Sequence, residues 1–278
     1  MHPSVAVRQR LGLQVLFDFN DATEAIRFAA AERFRVLELN LGNLEFGRQL
    51  VRARDRQRIR REARRLGVTL AVHAIEGPSF FIPSNRARRA AVRDIKQLLD
   101  RAADAGISNV VMHLGFEMHY GLEGRGVYPH EIYPEEYETP LFDALAELKE
   151  HARGRARLCI ENVGGFRFEF SHRVMNRLLG GPLGLCLDVG HVFVLPGKER
   201  ADELAFFERH LRHVHHSHVH DNHGARDEHL VPGQGTIRFL PVLRLLARTD
   251  ALLVLEVRPV KAALAGRDWF ERRAAPRL

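Results

Sequence analysis

The sequence predicts a single-domain α/β fold, a closed (β/α)₈ barrel, on three observations. Short apolar runs alternate with longer helical patterns from one end to the other, and no Pro/Ser/Gly-rich linker interrupts them. The runs number eight, which favours a closed barrel over an open sheet. The 278 residues, 45% of them hydrophobic, suit one barrel of about 250 residues and are short for two ordinary domains.

The strands are read in order. LGLQVLFDF (11–19) comes first, and the helical stretch DATEAIRFAAAERF follows it, with Asp21 placed to cap its N-terminus. RVLELN (35–40) and TLAVHA (69–74) flank an arginine-rich helical segment at 48–67. A long helix, RARRAAVRDIKQLLDRAADAG, ends on Gly106, a residue type that commonly closes helices, and leads into NVVMHLG (109–115). RLCIENV (157–163), LGLCLDVGH (183–191), VHHSHVHDN (214–222) and LLVLEV (252–257) complete the set. Residues 116–137 break the rhythm, being too long and too polar for a plain βα turn. They hold all four tyrosines, Tyr120, Tyr128, Tyr133 and Tyr137, and rise after strand four, so they are either a lid over the barrel mouth or a decorative insertion.

Composition narrows the function. No run reaches the roughly 18 apolar residues of a membrane span, and the N-terminus lacks the apolar core of a secretory signal, so the expected location is the cytoplasm. Cys159 and Cys186 lie inside apolar runs and read as buried free thiols of the barrel core. The net charge of +7 admits a polyanion partner, but arginine recurs on nearly every predicted helix, as on solvated outer helices.

The chemistry is carried by the strand ends. Each of the last six strands finishes on or beside a metal-binding residue: His73, His113, Glu161, Asp188, His218 and Glu256. Their spacings of 40, 48, 27, 30 and 38 residues are those of one βα unit, and a parallel barrel brings all its strand C-termini to one mouth. His191, Asp227 and His229 stand nearby in sequence. A protein interior tolerates such a concentration of carboxylates and imidazoles only when their charge is compensated, most directly by divalent cations. Mixed imidazole and carboxylate donors favour Zn²⁺, with Mn²⁺ or Fe²⁺ as alternatives, and nine donors exceed the needs of one ion, so two or three per chain are expected. Eight of the sixteen histidines lie between His210 and His229. Strand periodicity separates His216, His218 and His220 from His213 and His215, and only one of these faces can point inward. His220 and Asp221 read as partners behind the ligands.

At these residues the chain resembles the xylose isomerase-like TIM-barrel superfamily, which holds sugar isomerases and epimerases together with endonuclease IV-type apurinic/apyrimidinic endonucleases. The resemblance runs from strand one to strand eight and rests on LAVHA, VVMHLG, LCIENVGG, GLCLDVGH, HVHDNHGARDEHLVPGQG and LEVRP. For the endonuclease class it implies a trinuclear zinc site at His73, His113, Glu161, Asp188, His191, His218, Asp227, His229 and Glu256. For the epimerases it implies one metal at Glu161, Asp188, His218 and Glu256. Where the endonucleases carry a tyrosine that enters DNA, three residues after the first histidine, this chain carries Glu76, whose charge repels phosphate. The segment after strand seven is also shorter, with no basic residue before Arg226.

The leading expectation is therefore a metal-dependent isomerase or epimerase of a small sugar or sugar phosphate, with Glu161 and Glu256 moving the proton. The alternative is metal-assisted phosphoester hydrolysis, DNA being the partner in that case. A barrel that only binds a metal or ligand is the third class, and surplus donors beneath a long loop argue against it.

Overall fold

The computed structural model describes residues 7–278, so the first six residues of the N-terminal stretch read above as lacking a signal lie outside the described residues. Eight parallel strands close into a barrel: β1 Leu11–Val15, β2 Val36–Asn40, β3 Thr69–His73, β4 Ile107–Met112, β5 Arg157–Glu161, β6 Leu183–Asp188, β7 Val214–Val219 and β8 Leu252–Leu255. Neighbours follow chain order, and β8 closes against β1 with Leu11 opposite Leu253. Among the described residues no helix is long and apolar enough to cross a membrane.

Several strands are shorter than the apolar runs that announce them. β1, β5, β6 and β7 stop two to four residues early, because the rest of each run leaves the ladder to build the connections at the mouth. In β6 the break is sharp: Asp188 accepts from the His191 N–H and caps a short helix, Val189–Phe193.

Local signals set the helices. Asp21 accepts from the N–H groups of Thr23 and Glu24 and starts Ala22–Ala31. Asn85–Ala105 buries Val92, Ile95, Leu99 and Ala102 on one face and ends at Gly106, whose φ of +74° is the left-handed conformation that suits glycine. Some outer arginines pair with acids on adjacent helices, as in Arg27–Glu62, Arg56–Asp104 and Arg173–Glu138.

Strand alternation divides the interior in two. Leu37, Leu39, Val72, Val110, Leu158, Ile160, Leu185 and Leu187 belong to the main apolar core packed beneath the helices. Inside the barrel, the only apolar cluster among the described residues is small: Val111, Cys159 and Cys186, both cysteines free and buried. Around it the lumen carries many polar side chains, with Gln14, Glu38, Asn109, His216 and His218 all buried. Asn109 donates to the His215 carbonyl at 2.9 Å, so even this deep layer is hydrogen-bonded.

Residues 116–137 are structured. Strands Tyr120–Leu122 and Arg125–Val127 form an antiparallel hairpin, a short helix Pro129–Ile132 follows, and Tyr137 already belongs to the helix Pro134–Ala152. Tyr137 is buried against Phe81 and Phe170, so the four tyrosines do not share one exposed connection: Tyr120 and Tyr133 are exposed, and Tyr128 packs on His130 and Phe168. His130 is paired with Glu117 and lies 4.3 Å from the Phe168 ring, which fastens the base of the loop.

Candidate metal centre

The barrel places the nine sequence-predicted ligands at one mouth. His73, Glu161 and Asp188 are the last residues of β3, β5 and β6; His218 is the penultimate residue of β7; His113 and Glu256 directly follow β4 and β8. His191 rides on the helix that Asp188 caps, and Asp227 and His229 come from the connection after β7. His229 adopts φ +50°, a strained conformation for a residue other than glycine.

Glu161 is the hub. Its Oε2 lies 3.1 Å from His73 Nε2, 3.3 Å from His113 Nε2 and 3.5 Å from His218 Nδ1, and its Oε1 lies 3.2 Å from His191 Nδ1. His218 Nδ1 is also 3.0 Å from Glu256 Oε2 and 3.5 Å from Asp188 Oδ2. Asp227 Oδ2 stands 3.1 Å from His191 Nε2 and 3.0 Å from His229 Nε2. Three donor groups thus touch: His73, His113 and Glu161; Glu161, Asp188, His218 and Glu256; and His191, Asp227 and His229.

One feature of these contacts fits metal ions. The buried Nδ1 atoms of His191, His218 and His220 lie within 3.0–3.7 Å of carboxylate oxygens, yet none makes a hydrogen bond. Nitrogens crowded against carboxylates in this way could serve as ligands of a common centre. The opposite edges of several rings are held. His218 Nε2 donates to Glu38 Oε1 at 3.0 Å, His73 Nδ1 to the Ala74 carbonyl at 2.8 Å, and His229 Nδ1 to the Glu256 carbonyl at 2.9 Å. Such bonds fix the tautomer and leave the other nitrogen free for a cation.

The structure also adds His220 to the candidate ligands. Its Nε2 donates to Asp188 Oδ1 at 3.0 Å, its ring stacks on His229 at 4.2 Å, and it shares a compact donor group with Asp227 and His229. Gly190 makes room for it, since a Cβ there would meet His220 Cε1 at 1.9 Å. Asp221 acts differently, through the backbone. Its carboxylate accepts from the N–H groups of Asn222, Gly233, Gly235 and Ile237 and so organises the connection that carries Asp227 and His229.

Other contributors escape the sequence reading. Glu38 is fully buried on β2, 2.9 Å from His216 Nε2 and 3.0 Å from His218 Nε2, and Gln14 donates to it at 2.8 Å. A signal for it exists, since Val36, Glu38 and Asn40 alternate with Leu37 and Leu39 in an otherwise apolar strand. Arg258 donates to Glu256 and Gln14. Asn162 brackets Asp188, donating to its carbonyl and accepting its N–H, while Arg167 donates to Glu203 and to the His191 carbonyl.

Without a cation the cluster is balanced by protons. Burial opposes the charged forms of Glu38, Glu161 and Asp188, yet the neighbouring imidazoles hold their carboxyls well below the usual range. In return, against the cost of burial, Glu161 and Glu38 lift His73 to about 9, and Asp188, Asp227 and Glu161 raise His191. The sign follows directly. The stabilisation that His73 gains from its partners is complete below its unfolded value near 6.5 and is lost as pH rises through about 9. A cation must displace these protons, so its binding tightens over the same interval. The gap in Tm between zinc-loaded and chelator-treated protein is expected to widen from pH 6.5 to 9; a flat or narrowing gap would contradict this proton balance.

Comparison with known proteins follows the same lines. Residues 26–273 match the family model described as xylose isomerase-like TIM barrel. The chain belongs to this family. Among solved members of the fold it is similar to a D-tagatose 3-epimerase-like protein (22% identity, TM-score 0.73, covering 94% of this chain and 96% of that one). It is also similar to the TTHB071 protein of Thermus thermophilus, from crystals soaked with ZnCl₂ (27%, 0.68, 93% and 96%). A third similar structure is endonuclease IV of the same organism (19%, 0.66, 94% and 99%). At 22% and 19% identity the likeness is one of fold. A curated relative, the uncharacterised protein y4fM of Sinorhizobium fredii, is 28% identical over 171 residues, 59% of this chain. The chain spans about half the length of that relative. Solved structures that share the fold include sugar epimerases and endonuclease IV.

Proposed function

We propose that this protein is a metal-dependent isomerase or epimerase of a small sugar or sugar phosphate, working by proton transfer beside a carbonyl group. The observation that supports the reading is that Glu161 and Glu256, from different strands, both reach His218 Nδ1, at 3.5 and 3.0 Å. Two carboxylates so placed can take a proton from one face of a carbon and return it from another. Arg258 Nη2 donates to Glu256 Oε1 at 3.1 Å and to Gln14 Oε1 at 2.6 Å, which orients the Glu256 carboxylate at the mouth. A divalent cation held by Glu161, Asp188, His218 and Glu256, zinc being the best match to the donors, would supply Lewis-acid polarisation of the substrate carbonyl and acidify the neighbouring C–H. Exposed apolar side chains on the connections above, Phe17, Ile75 and Phe116, give a sugar ring surfaces to pack against.

The third donor group, His191, Asp227 and His229, favours a second reading, phosphoester hydrolysis with DNA as partner, because clustered cations suit phosphoryl chemistry. One experiment separates the two. Zinc-loaded protein incubated in D₂O with a panel of ketoses, aldoses and their phosphates is expected to place deuterium on the carbon beside the carbonyl. No label in any of them, together with metal-dependent nicking of abasic duplex DNA, would overturn the isomerase reading in favour of the hydrolase.

A further inference from the structure

We propose that Glu76 is a fourth protein ligand for a cation held by His73, His113 and Glu161, closing that position and leaving substrate to the Glu161–Asp188–His218–Glu256 group; the second half rests on the isomerase reading. Glu76 follows β3 by three residues and stands on the open side of the mouth. One of its carboxylate oxygens and one ring nitrogen each of His73 and His113 lie within 4.8 Å of one another. Ligands of a tetrahedral ion with bonds of about 2.0 Å sit about 3.3 Å apart. An exposed, unbranched side chain covers that difference by a change of rotamer.

Two further observations point the same way. The His113 side chain is only 10% exposed, yet its Nδ1 has no hydrogen-bond partner, so this ring is not held from behind as His73 is by the Ala74 carbonyl. Its Nε2 stands 3.3 Å from Glu161 Oε2, and Glu76 belongs to the same compact donor group as this ring. Charge is the second. Glu161 is shared with the central group, so two neutral imidazoles and a shared carboxylate under-compensate a dication, and Glu76 supplies the missing negative charge. Four protein ligands make a closed site, whereas three leave a position for water or substrate. With Glu76 in place the first ion serves structure, and substrate phosphate finds no vacant position on it.

The test needs no substrate. Stepwise zinc binding to metal-free protein is measured by calorimetry with a competing chelator, for the wild type, Glu76→Gln, Glu76→Ala, His113→Ala and the Glu76→Ala/His113→Ala double variant. One binding step is expected to weaken at least tenfold in both Glu76 variants, and Glu76→Ala is expected to add little in the His113→Ala background, since both residues serve the same ion. Unchanged binding steps in the Glu76 variants, or a penalty that adds fully to that of His113→Ala, would overturn the proposal. Glu76→Gln keeps the shape of the side chain, so a general loss of fold, read by circular dichroism, is separable from a lost ligand. If absent deuterium label and nicking of abasic DNA overturned the isomerase reading, this titration would still decide the role of Glu76 independently.

Discussion

Glu161→Gln protein is expected to lose metal and turnover together, whereas Glu256→Gln protein keeps most of its metal and loses turnover alone. The asymmetry follows from what each carboxylate touches. Glu161 reaches His73, His113, His191 and His218, so an amide in its place weakens every donor group it joins and turns an N–H₂ toward at least one imidazole. Glu256 reaches only His218 and Arg258 and sits nearer solvent, so its group retains Glu161, Asp188 and His218 for a cation. Removing a proton-transfer group costs about 10²–10⁴-fold in rate, and that is the loss expected for Glu256→Gln at near-constant zinc content. For Glu161→Gln the rate should fall at least as far, with at least one equivalent of zinc gone. Elemental analysis on the same samples used for the exchange assay reads both quantities. Equal metal loss in the two variants would mean that Glu161 is not the hub.

The largest effect on stability is expected at Asp221. Its carboxylate is fully buried and accepts four backbone N–H groups, those of Asn222 and Ile237 on Oδ1 and those of Gly233 and Gly235 on Oδ2. Asparagine keeps the size but turns an N–H₂ toward two of those donors. With each unmet donor costing about 1–3 kcal/mol, Asp221→Asn should destabilise the protein by about 4 kcal/mol. At about 2–4 °C per kcal/mol for a chain of this size, Tm falls by about 10 °C. Because the same connection carries Asp227 and His229, zinc bound at that end should weaken as well. A variant that melts within about 2 °C of the parent would show that backbone contacts alone hold the connection.

Most of the fold can be read from the sequence because its signal is local. Each βα unit carries its own apolar run and helical pattern, and parallel closure then places every strand end at the same mouth, which is why His73, Glu161 and Asp188 stand out. Ends of elements are harder. The run LGLCLDVGH reads as one strand, but the backbone turns helical after Asp188, where that carboxylate accepts the His191 N–H. The supporting residues are the least visible. Glu38 lies mid-strand, where alternation marks it as lumen-facing but does not name its partners, and these, His216 and His218, belong to a strand five βα units further along the chain. Asn162, Arg167 and Glu203 meet only once β5, β6 and the helix Gly197–Arg209 are assembled. Tyr137 groups with the loop tyrosines in sequence because proline and acidic residues precede it, although the helix begins at Pro134 and buries it.

The bond from Glu38 to His218 joins β2 to β7, which are three strands apart round the barrel wall, so it crosses the lumen like a strut between distant staves. Wall contacts hold adjacent strands together but permit a barrel to flatten; a strut fixes its cross-section. Glu38 also reaches His216 one layer lower, giving the strut two footings on β7. The cross-section of this barrel is therefore tied to the orientation of a candidate metal ligand, and neither can drift without the other. Over evolutionary time, an apolar residue at position 38 would have to arrive with compensating changes at 216 and 218. This interior should consequently vary as a block, while the helix-facing side of the same strands remains free to exchange one apolar residue for another.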